Sequence, residues 1–501
     1  MKFNKLIVLL EKTPLRVRAH ISESARERDP ELDMLVSDSR KARNGSIFAC
    51  VKGEHSDGHD YAAKAVDAGA SAILCEHPVA GANVPQIICE DVRRNMGVVA
   101  STLYENPIEK LTMIALTGTA GKTTSSFMTR SILKNAGIKT GLLGTVYYND
   151  GDTEEDADRT TPEGSELQVW LDRMVKNDCK ACVMETSSHA LSQGRLDGAL
   201  YDRAGFTNLS VDHLDYHGDM ESYFGAKQLL FEKYMRGNWR AAINIDNEYG
   251  VRLLEKYGSR VITYGIKNTG AMFFAKAVDR SIAGMKIEIR TPDSDSVSNV
   301  TLPLLGDHNI LNALQALSLA WTLGIRNGTA LSGLMNMDQV PGRLERYLIG
   351  GSGSCVIDFA HTPDELEKAL NSLKPICKGK LYVVFGAGGD RDRSKRPMMG
   401  EIATRIADEV IITSDNPRTE DPAFITSEIE VGAKEHSSEY KVIVDRKEAM
   451  YDGLKSIGPD DILLIAGRGP ERFQITNAGP VPFLDKDVVF DWCASQGKSI
   501  S

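Results

Sequence analysis

The uncharged run Leu111-Thr112-Met113-Ile114-Ala115-Leu116 passes directly into Thr117-Gly118-Thr119-Ala120-Gly121-Lys122-Thr123-Thr124. Few features restrict a fold so narrowly. A continuous apolar run of this length reads as a strand buried on both faces, which belongs to a parallel sheet covered by helices. The glycine-rich segment then turns the chain into a helix. Its backbone N–H groups point inward and the helix N-terminus adds positive potential, so the turn suits a triphosphate. Lys122 would neutralise phosphate oxygens and the Thr123 hydroxyl would ligate magnesium. Two residues lie between Gly118 and Gly121, where the standard phosphate loop has four between its glycines. The competing reading is a glycine turn with a solvated lysine.

From this strand to about residue 339, short apolar stretches at 181–184, 205–208 and 241–245 alternate with helical ones. Residues 1–108 carry mixed elements: strands at 46–51 and 70–75 around a helix at 61–69. Pro341-Gly342 marks a break. A third region follows, with strands at 354–358, 380–385, 409–413 and 461–466, each ending in a polar or glycine-rich loop. The expected fold is therefore α/β in three domains: 1–108, 109–339 and 340–501. The central one is a P-loop-type parallel sheet with helices on both faces, and the last is a Rossmann-like α/β domain. A length of 501 residues accords with about three domains.

The formal net charge of −10 argues against nucleic acid as a main partner, since a phosphate backbone demands a basic face. No apolar run approaches the roughly 20 residues of a membrane span. The stretch 6–10 is too short for a signal peptide and is followed at once by Glu11 and Lys12, so it reads as the first helix of a cytoplasmic protein. Cys179 and Cys182 have no second pair at zinc-site spacing. They read as reduced thiols, with Cys182 in a buried strand.

Other polar clusters follow strand ends. Met184-Glu185-Thr186-Ser187-Ser188-His189 places a carboxylate where it could hold a metal near the phosphates. Asn208-Leu209-Ser210-Val211-Asp212-His213-Leu214-Asp215-Tyr216-His217 packs two histidines and two aspartates beside a strand. It suits metal binding or acid–base work, against hydrogen-bonded structural histidines. Lys227, fourteen residues after His213, reads from spacing alone as a surface lysine of an amphipathic helix. In the third region, Gly386–Arg396 offers four cations in a flexible loop suited to anions. Ser414-Asp415-Asn416-Pro417-Arg418 and Gly467-Arg468-Gly469-Pro470-Glu471 also follow strands. Three such loops at equivalent ends suggest one shared site.

Together these motifs resemble the Mur ligases, and within them the branch that adds the third residue of the peptide. The resemblance runs through Asp38-Ser39-Arg40, the phosphate loop, the segments at 184–191 and 206–218, Gly306-Asp307-His308-Asn309, Val340-Pro341-Gly342-Arg343-Leu344-Glu345, Asp358-Phe359-Ala360-His361, Gly388-Gly389-Asp390-Arg391-Asp392 and Asp415-Asn416-Pro417-Arg418. It implies an ATP-dependent amide ligase. Gly118, Thr119, Ala120, Gly121, Lys122, Thr123, Thr124, Asn309 and Arg343 would hold ATP. Ser39 would touch the uridine nucleotide of a UDP-N-acetylmuramoyl-dipeptide, and Thr160, Thr161, Ser187, Gln193 and Arg195 its muramoyl-peptide part. Thr123, Glu185, His213 and a carbamylated Lys227 would hold Mg²⁺. On this resemblance Lys227 ceases to be a surface lysine, and it stands with Lys122, Glu185 and His213 as catalytic. Arg391, Asp415, Asn416, Pro417, Arg418, Gly467 and Glu471 would bind the incoming amino acid. Two positions depart from the family pattern: Ala120 replaces the usual Asn, and Arg468-Gly469-Pro470-Glu471 replaces Lys-Gly-His-Glu.

The implied chemistry is phosphorylation of a D-glutamyl carboxylate by ATP, then attack of an amine on the acyl-phosphate. Positioning and charge neutralisation carry most of it. The incoming residue is meso-diaminopimelate, L-lysine or L-ornithine, with Arg418 favouring the first through its distal carboxylate. A folylpolyglutamate synthase and a regulatory NTPase or binding module are the rivals. The chain is expected to act as a monomer.

Overall fold

The computed structural model describes residues 1–13, 15, 18–20, 29–53, 56–293, 296–436 and 439–501. It divides into two compact units. One comprises Met1–Phe274 with Asn312–Gly333, and the other Ala275–Leu311 with Leu334–Ser501.

The first unit contains two sheets. The smaller orders its strands Arg18–His20, Gln86–Ile88, Ala72–Cys75, Ser46–Ala49 and Met34–Val36, parallel except for the first pair. The helix Phe3–Leu10 lays Phe3, Leu6 and Leu10 into its core, because an i, i+3, i+7 spacing puts them on one face. The larger sheet places the phosphate-loop strand Thr112–Thr117 centrally. Ala181–Glu185 lies parallel on one side and Tyr201–Phe206 on the other, with Thr140–Leu143, Met235–Asn244 and Val261–Gly265 beyond. Every residue from Met113 to Thr117 is buried, as a strand covered on both faces requires.

Register decides what meets at the sheet's carboxyl edge. Leu116 pairs with Glu185 and Thr117 with Phe206, so Thr186 stands level with Thr117 and Thr207 with Gly118. The strand expected at 205–208 instead runs Tyr201–Phe206. Its charged start disguises it: Asp202 accepts from Arg236, and Arg203 donates to Thr322. Thr207 and Asn208 thereby fall into the loop at the edge.

The second unit is built on a six-stranded sheet ordered Glu345–Leu348, Ser354–Asp358, Ile462–Ala466, Leu381–Phe385, Glu409–Ile412 and Glu439–Val442, antiparallel only at the first edge. Asp358 pairs with Ala466 and Phe385 with Ile412, so the loops after these four strands open at one edge. Two apolar clusters cover its faces, one containing Val356, Leu370, Phe385 and Met399 and the other Ile357, Met450, Val489 and Trp492. No helix among the described residues is long and apolar enough to cross a membrane. Cys179 and Cys182 are both buried, free thiols.

Candidate active site

In the first unit, the helix Lys122–Asn135 begins where the glycine loop ends. Gly118 has φ +145°, and a Cβ there would lie 1.8 Å from Thr207 Oγ1, so only glycine fits this turn. Asn208 clips the loop from the adjacent strand end. Its carbonyl accepts from Thr119 N (2.9 Å), its Oδ1 accepts from Ala120 N (3.1 Å), and its Nδ2 donates to Ala120 O (3.2 Å). These contacts use only the backbone of Ala120.

Two ammonium groups converge on one carbonyl. Lys122 Nζ donates to Gly118 O (3.0 Å) and Thr119 O (2.8 Å), and Lys227 Nζ donates to the same Gly118 oxygen at 2.8 Å. Lys227 comes from the helix Met220–Lys233 and is only 2% exposed. Its Nζ sits 4.4 Å from the centre of the Tyr223 ring, and the Tyr223 hydroxyl meets Thr119 Oγ1 at 3.2 Å. Burial, then the Lys122 cation, hold the Lys227 amine well below the ordinary lysine pKa.

Glu185 ends its strand with no exposed surface. Its Oε2 accepts from Thr123 Oγ1 (3.0 Å) and Thr145 Oγ1 (3.1 Å), and its Oε1 from Thr145 N (2.9 Å). Thr145 also meets Thr160 Oγ1 at 3.1 Å. From there the expected substrate residues form a chain. Thr161 Oγ1 donates to Glu185 O (2.9 Å) and to Ser187 Oγ (3.3 Å), while Arg195 donates to Thr161 O (3.3 Å) and Gln193 Oε1 (2.7 Å). Ser39 lies in a separate turn, Ser39–Lys41, capped by Asp38, and among the described residues no hydrogen bond joins it to Thr160, Thr161, Ser187, Gln193 or Arg195.

His213 adopts φ +53° and caps the short helix Leu214–His217. Its ring lies 4.9 Å from that of His189 and 6.1 Å from that of Tyr223. Desolvation and the neighbouring His213 and His217 push His189 down to about 4. Desolvation also lowers His213, with Lys122 and Lys227 adding to the shift. A neutral imidazole is the metal-ligating form. No group of three His, Cys, Asp or Glu converges on a metal position among the described residues. The expected set has only two such members, Glu185 and His213.

In the second unit, Asn309 is buried and donates to Leu305 O at 2.7 Å. Arg343 stacks its guanidinium 5.0 Å over the Phe359 ring. The loop after Glu409–Ile412 holds Arg418 at φ +52°, its N–H donating to Ile475 O (2.9 Å) and its Nη1 to Gly389 O (2.8 Å). A side chain starting at Gly388 would lie 2.9 Å from Arg418 Nη1 and 3.7 Å from Arg391 Cγ, so the two arginines flank that glycine. Desolvation lowers the Arg418 pKa, and the Arg391 charge lowers it further. Of the four cations expected to serve an anion, Arg393 and Arg396 are occupied: both pair with Glu420, at 3.2 and 2.8 Å. Arg391 and Lys395 donate instead to the carbonyls of Asp390 (3.4 Å) and His361 (3.1 Å).

Gly467, at φ +116°, lets its backbone approach Asp415: a Cβ there would stand 2.4 Å from Asp415 Oδ2. Asn416 Nδ2 donates to Glu471 Oε2 at 2.7 Å. Burial raises the Glu471 pKa, and nearby Asp415 adds to the rise. Pro470 packs on the linker: a Cβ at Gly342 would be 2.4 Å from its Cδ. Pro417 carries the turn into Arg418, its carbonyl accepting from Glu420 N at 3.0 Å.

Thr145 and Tyr223 do not stand out in the sequence as site residues, and Asn208 and Arg468 stand in its polar clusters without a role of their own, yet each holds a site residue. Asn208 could have been found from its place just past a central strand. Thr145 follows Gly144 after the strand Thr140–Leu143, a position equivalent to the phosphate loop.

Three family models match in order: "Mur ligase family, catalytic domain" over residues 31–104, "Mur ligase middle domain" over 116–320, and "Mur ligase, glutamate ligase domain" over 342–469. The UDP-N-acetylmuramoyl-L-alanyl-D-glutamate–2,6-diaminopimelate ligase of Bacillus licheniformis is 38% identical over 494 residues, covering 97% of this chain and 98% of the relative. The ligase of the same name from Bacillus velezensis is 40% identical with the same coverage. A solved structure of a UDP-N-acetylmuramoyl-L-alanyl-D-glutamate–2,6-diaminopimelate ligase is 31% identical with a TM-score of 0.65, over 93% of this chain and 96% of that one. With matched segments in all three regions and relatives aligned end to end, the chain belongs to the Mur ligase family, ATP-dependent ligases of three-domain α/β fold.

Proposed function

We propose that this chain joins meso-diaminopimelate to the D-glutamyl carboxylate of UDP-N-acetylmuramoyl-L-alanyl-D-glutamate, with ATP as co-substrate and ADP and phosphate as products. One observation carries the choice of amino acid. Arg418 and Arg391 flank Gly388, while Glu471 is held by Asn416 from the neighbouring loop. Two guanidinium groups and a carboxylate match a substrate with a carboxylate at each end and an ammonium at the far one. L-Lysine and L-ornithine lack the distal carboxylate. Asp415, Pro417 and Gly467 shape the backbone around this pocket. The matched segments fall inside 1–108, 109–339 and 340–501, which supports these as the domain limits.

ATP would lie on Gly118–Thr124 with Asn309 and Arg343, and the UDP substrate on Ser39, Thr160, Thr161, Ser187, Gln193 and Arg195. The ATP γ-phosphoryl group passes to a carboxylate oxygen; the deprotonated amine of the amino acid then attacks the acyl carbon and phosphate leaves. Lys122 faces the phosphates and neutralises charge as it moves. The donor set fits Mg²⁺, a hard cation that prefers oxygen. The buried Glu185 carboxylate already meets the Thr123 hydroxyl, and His213 adds a neutral imidazole. Lys227 fits only as a carbamate, because an ammonium has no lone pair to give. When bound, the ion supplies positive charge to the phosphate oxygens. The reaction is placed in the cytoplasm and needs a single copy of the chain.

Mass spectrometry of the product, with ATP, the UDP-muramoyl-dipeptide and each of the three diamino acids, tests the reading. Tenfold better use of L-lysine or L-ornithine overturns the diaminopimelate assignment. Phosphate release with no dependence on the dipeptide points to the NTPase rival, and glutamate addition to a folate to the folylpolyglutamate synthase.

A further inference from the structure

We propose that Arg468 is a positioning residue of the amino-acid pocket, fixing the orientation of Glu471 through Asn416 and keeping its carboxylate charged. This rests on the reading that the pocket receives a diamino acid by its ammonium. Arg468 has no exposed side-chain surface. Its Nη1 donates to Asn416 Oδ1 at 2.8 Å, and its Nη2 to the carbonyls of Phe483 (2.8 Å) and Glu471 (3.3 Å). Ile475 N also donates to Asn416 Oδ1, at 2.8 Å. With two donors on that oxygen the amide has one workable orientation, and its NH₂ must face the Glu471 carboxylate. The Asn416 oxygen is thus filled by protein donors, and one of its two N–H groups aims Glu471.

The second role is electrostatic. Arg468 Nη1 stands 3.7 Å from Glu471 Oε2. The buried Arg446 nearby is committed to Asp485, with bonds of 2.8 and 2.7 Å, and Arg468 Nε stands 3.9 Å from the same carboxylate. Glu471 feels burial and the like charge of Asp415, both opposing ionisation; Arg468 and His361 favour it, and Arg418 and Arg446 also interact with it. A protonated Glu471 could not pair with an ammonium. Lysine at 468, the residue the family usually carries there, keeps the charge and three N–H donors, whereas methionine removes both.

The test is steady-state kinetics of the full chain from pH 5.5 to 9, varying each substrate in turn. Arg468→Met should raise KM for diaminopimelate at least about tenfold with the KM values for ATP and the UDP-dipeptide unchanged. It should also move the acid limb of kcat/KM for diaminopimelate upward by at least about one pH unit, the scale of losing an opposite charge within about 4 Å. Arg468→Lys should keep both that KM and the limb near their wild-type values. An unmoved limb in the methionine variant overturns the proposal, as does an equal rise in all three KM values. Should the methionine variant not fold, Arg468→Gln, neutral but still a donor, decides: a limb that stays at its wild-type position overturns the proposal. If the wild-type enzyme uses another diamino acid, the reading of the substrate fails. The same titration with that amino acid then still tests Arg468.

Discussion

Replacing Lys227 with alanine removes a group enclosed against its own electrostatics. Lys122 Nζ and Lys227 Nζ lie 3.0 and 2.8 Å from the Gly118 oxygen, so they are at most about 5.8 Å apart, the two bonds laid end to end. At an effective dielectric of about 20, two positive charges at that separation repel by about 3 kcal/mol, and more if closer. Burial adds to the pressure on Lys227 to release its proton. The resulting amine is a nucleophile. Attack on CO₂ forms an N–C bond, the nitrogen gives up a proton, and a carbamate anion results. Its interaction with Lys122 then changes sign, to an attraction of similar size, so the site that disfavours the ammonium favours the carbamate. Lys227→Ala should lose at least about a hundredfold in kcat, the usual scale for deleting one group that stabilises transition-state charge. Wild-type activity should fall in CO₂-depleted buffer and return with bicarbonate. With ¹³C-bicarbonate the wild type should show a carbamate carbon resonance that the variant lacks, and short-chain carboxylates should partly restore the variant. An alanine variant within threefold of wild type, with no additive, would refute this chain of reasoning. So would a wild type that shows no carbamate resonance and keeps full activity without CO₂.

Three further outcomes are expected. Lys122→Ala should cut product formation at least about a hundredfold with circular dichroism and melting unchanged, because the side chain lies on its own loop and not in the core; near-wild-type turnover would remove the phosphate-loop assignment. Arg418→Ala should cost about 2–5 kcal/mol in kcat/KM for diaminopimelate, the scale for breaking a desolvated charge pair, while KM for ATP stays put; a parallel loss for ATP would mean that the loop had collapsed. Arg446→Met should destabilise the chain in urea by about 3–5 kcal/mol by stranding buried Asp485, and Arg446→Met with Asp485→Leu should recover much of that. A double variant no more stable than the single one would show that Arg446 acts through its bonds to Ser414 O and Ala466 O instead.

Four of the six strands in the second unit's main sheet were legible to within a residue: 354–358 is Ser354–Asp358, and 380–385, 409–413 and 461–466 are Leu381–Phe385, Glu409–Ile412 and Ile462–Ala466, whereas Glu345–Leu348 and Glu439–Val442 were not read. Buried parallel strands are unbroken apolar runs, and glycine or polar loops stop them sharply. Strands that mix charge with apolar residues were not legible. Tyr201–Phe206 hides behind Asp202 and Arg203, and Glu154–Asp156, which pairs antiparallel with Tyr147–Asn149, is acidic throughout. Clusters whose members are consecutive could be read directly. Thr145 and Arg468 could not, since their partners Glu185 and Asn416 lie 40 and 52 residues away. Lys227 is a different case. It follows Tyr223 by one helical turn and precedes Leu230 and Phe231, all buried. Helical periodicity already placed it on the apolar face; spacing alone undervalued that.

Burial and charge count do not separate working cations from structural ones in this chain, but their acceptors do. Arg396 and Arg446 are buried, and both end on carboxylates, Arg396 on Glu420 and Glu428 and Arg446 on Asp485. Their charge is neutralised locally, and what they contribute is cross-linking. Arg391, Lys395 and Arg418 end instead on carbonyl oxygens. A carbonyl dipole satisfies donors without cancelling a unit charge, so most of the field remains for an incoming anion. The loop Gly386–Arg396 shows both kinds within one run: Arg393 and Arg396 are spent on Glu420, while Arg391 and Lys395 are not. Its sequence, dense in cations, overstates what the site can offer. A chain with net charge −10 can serve anionic substrates for the same reason. Attraction is set locally, by the few cations resting on backbone carbonyls.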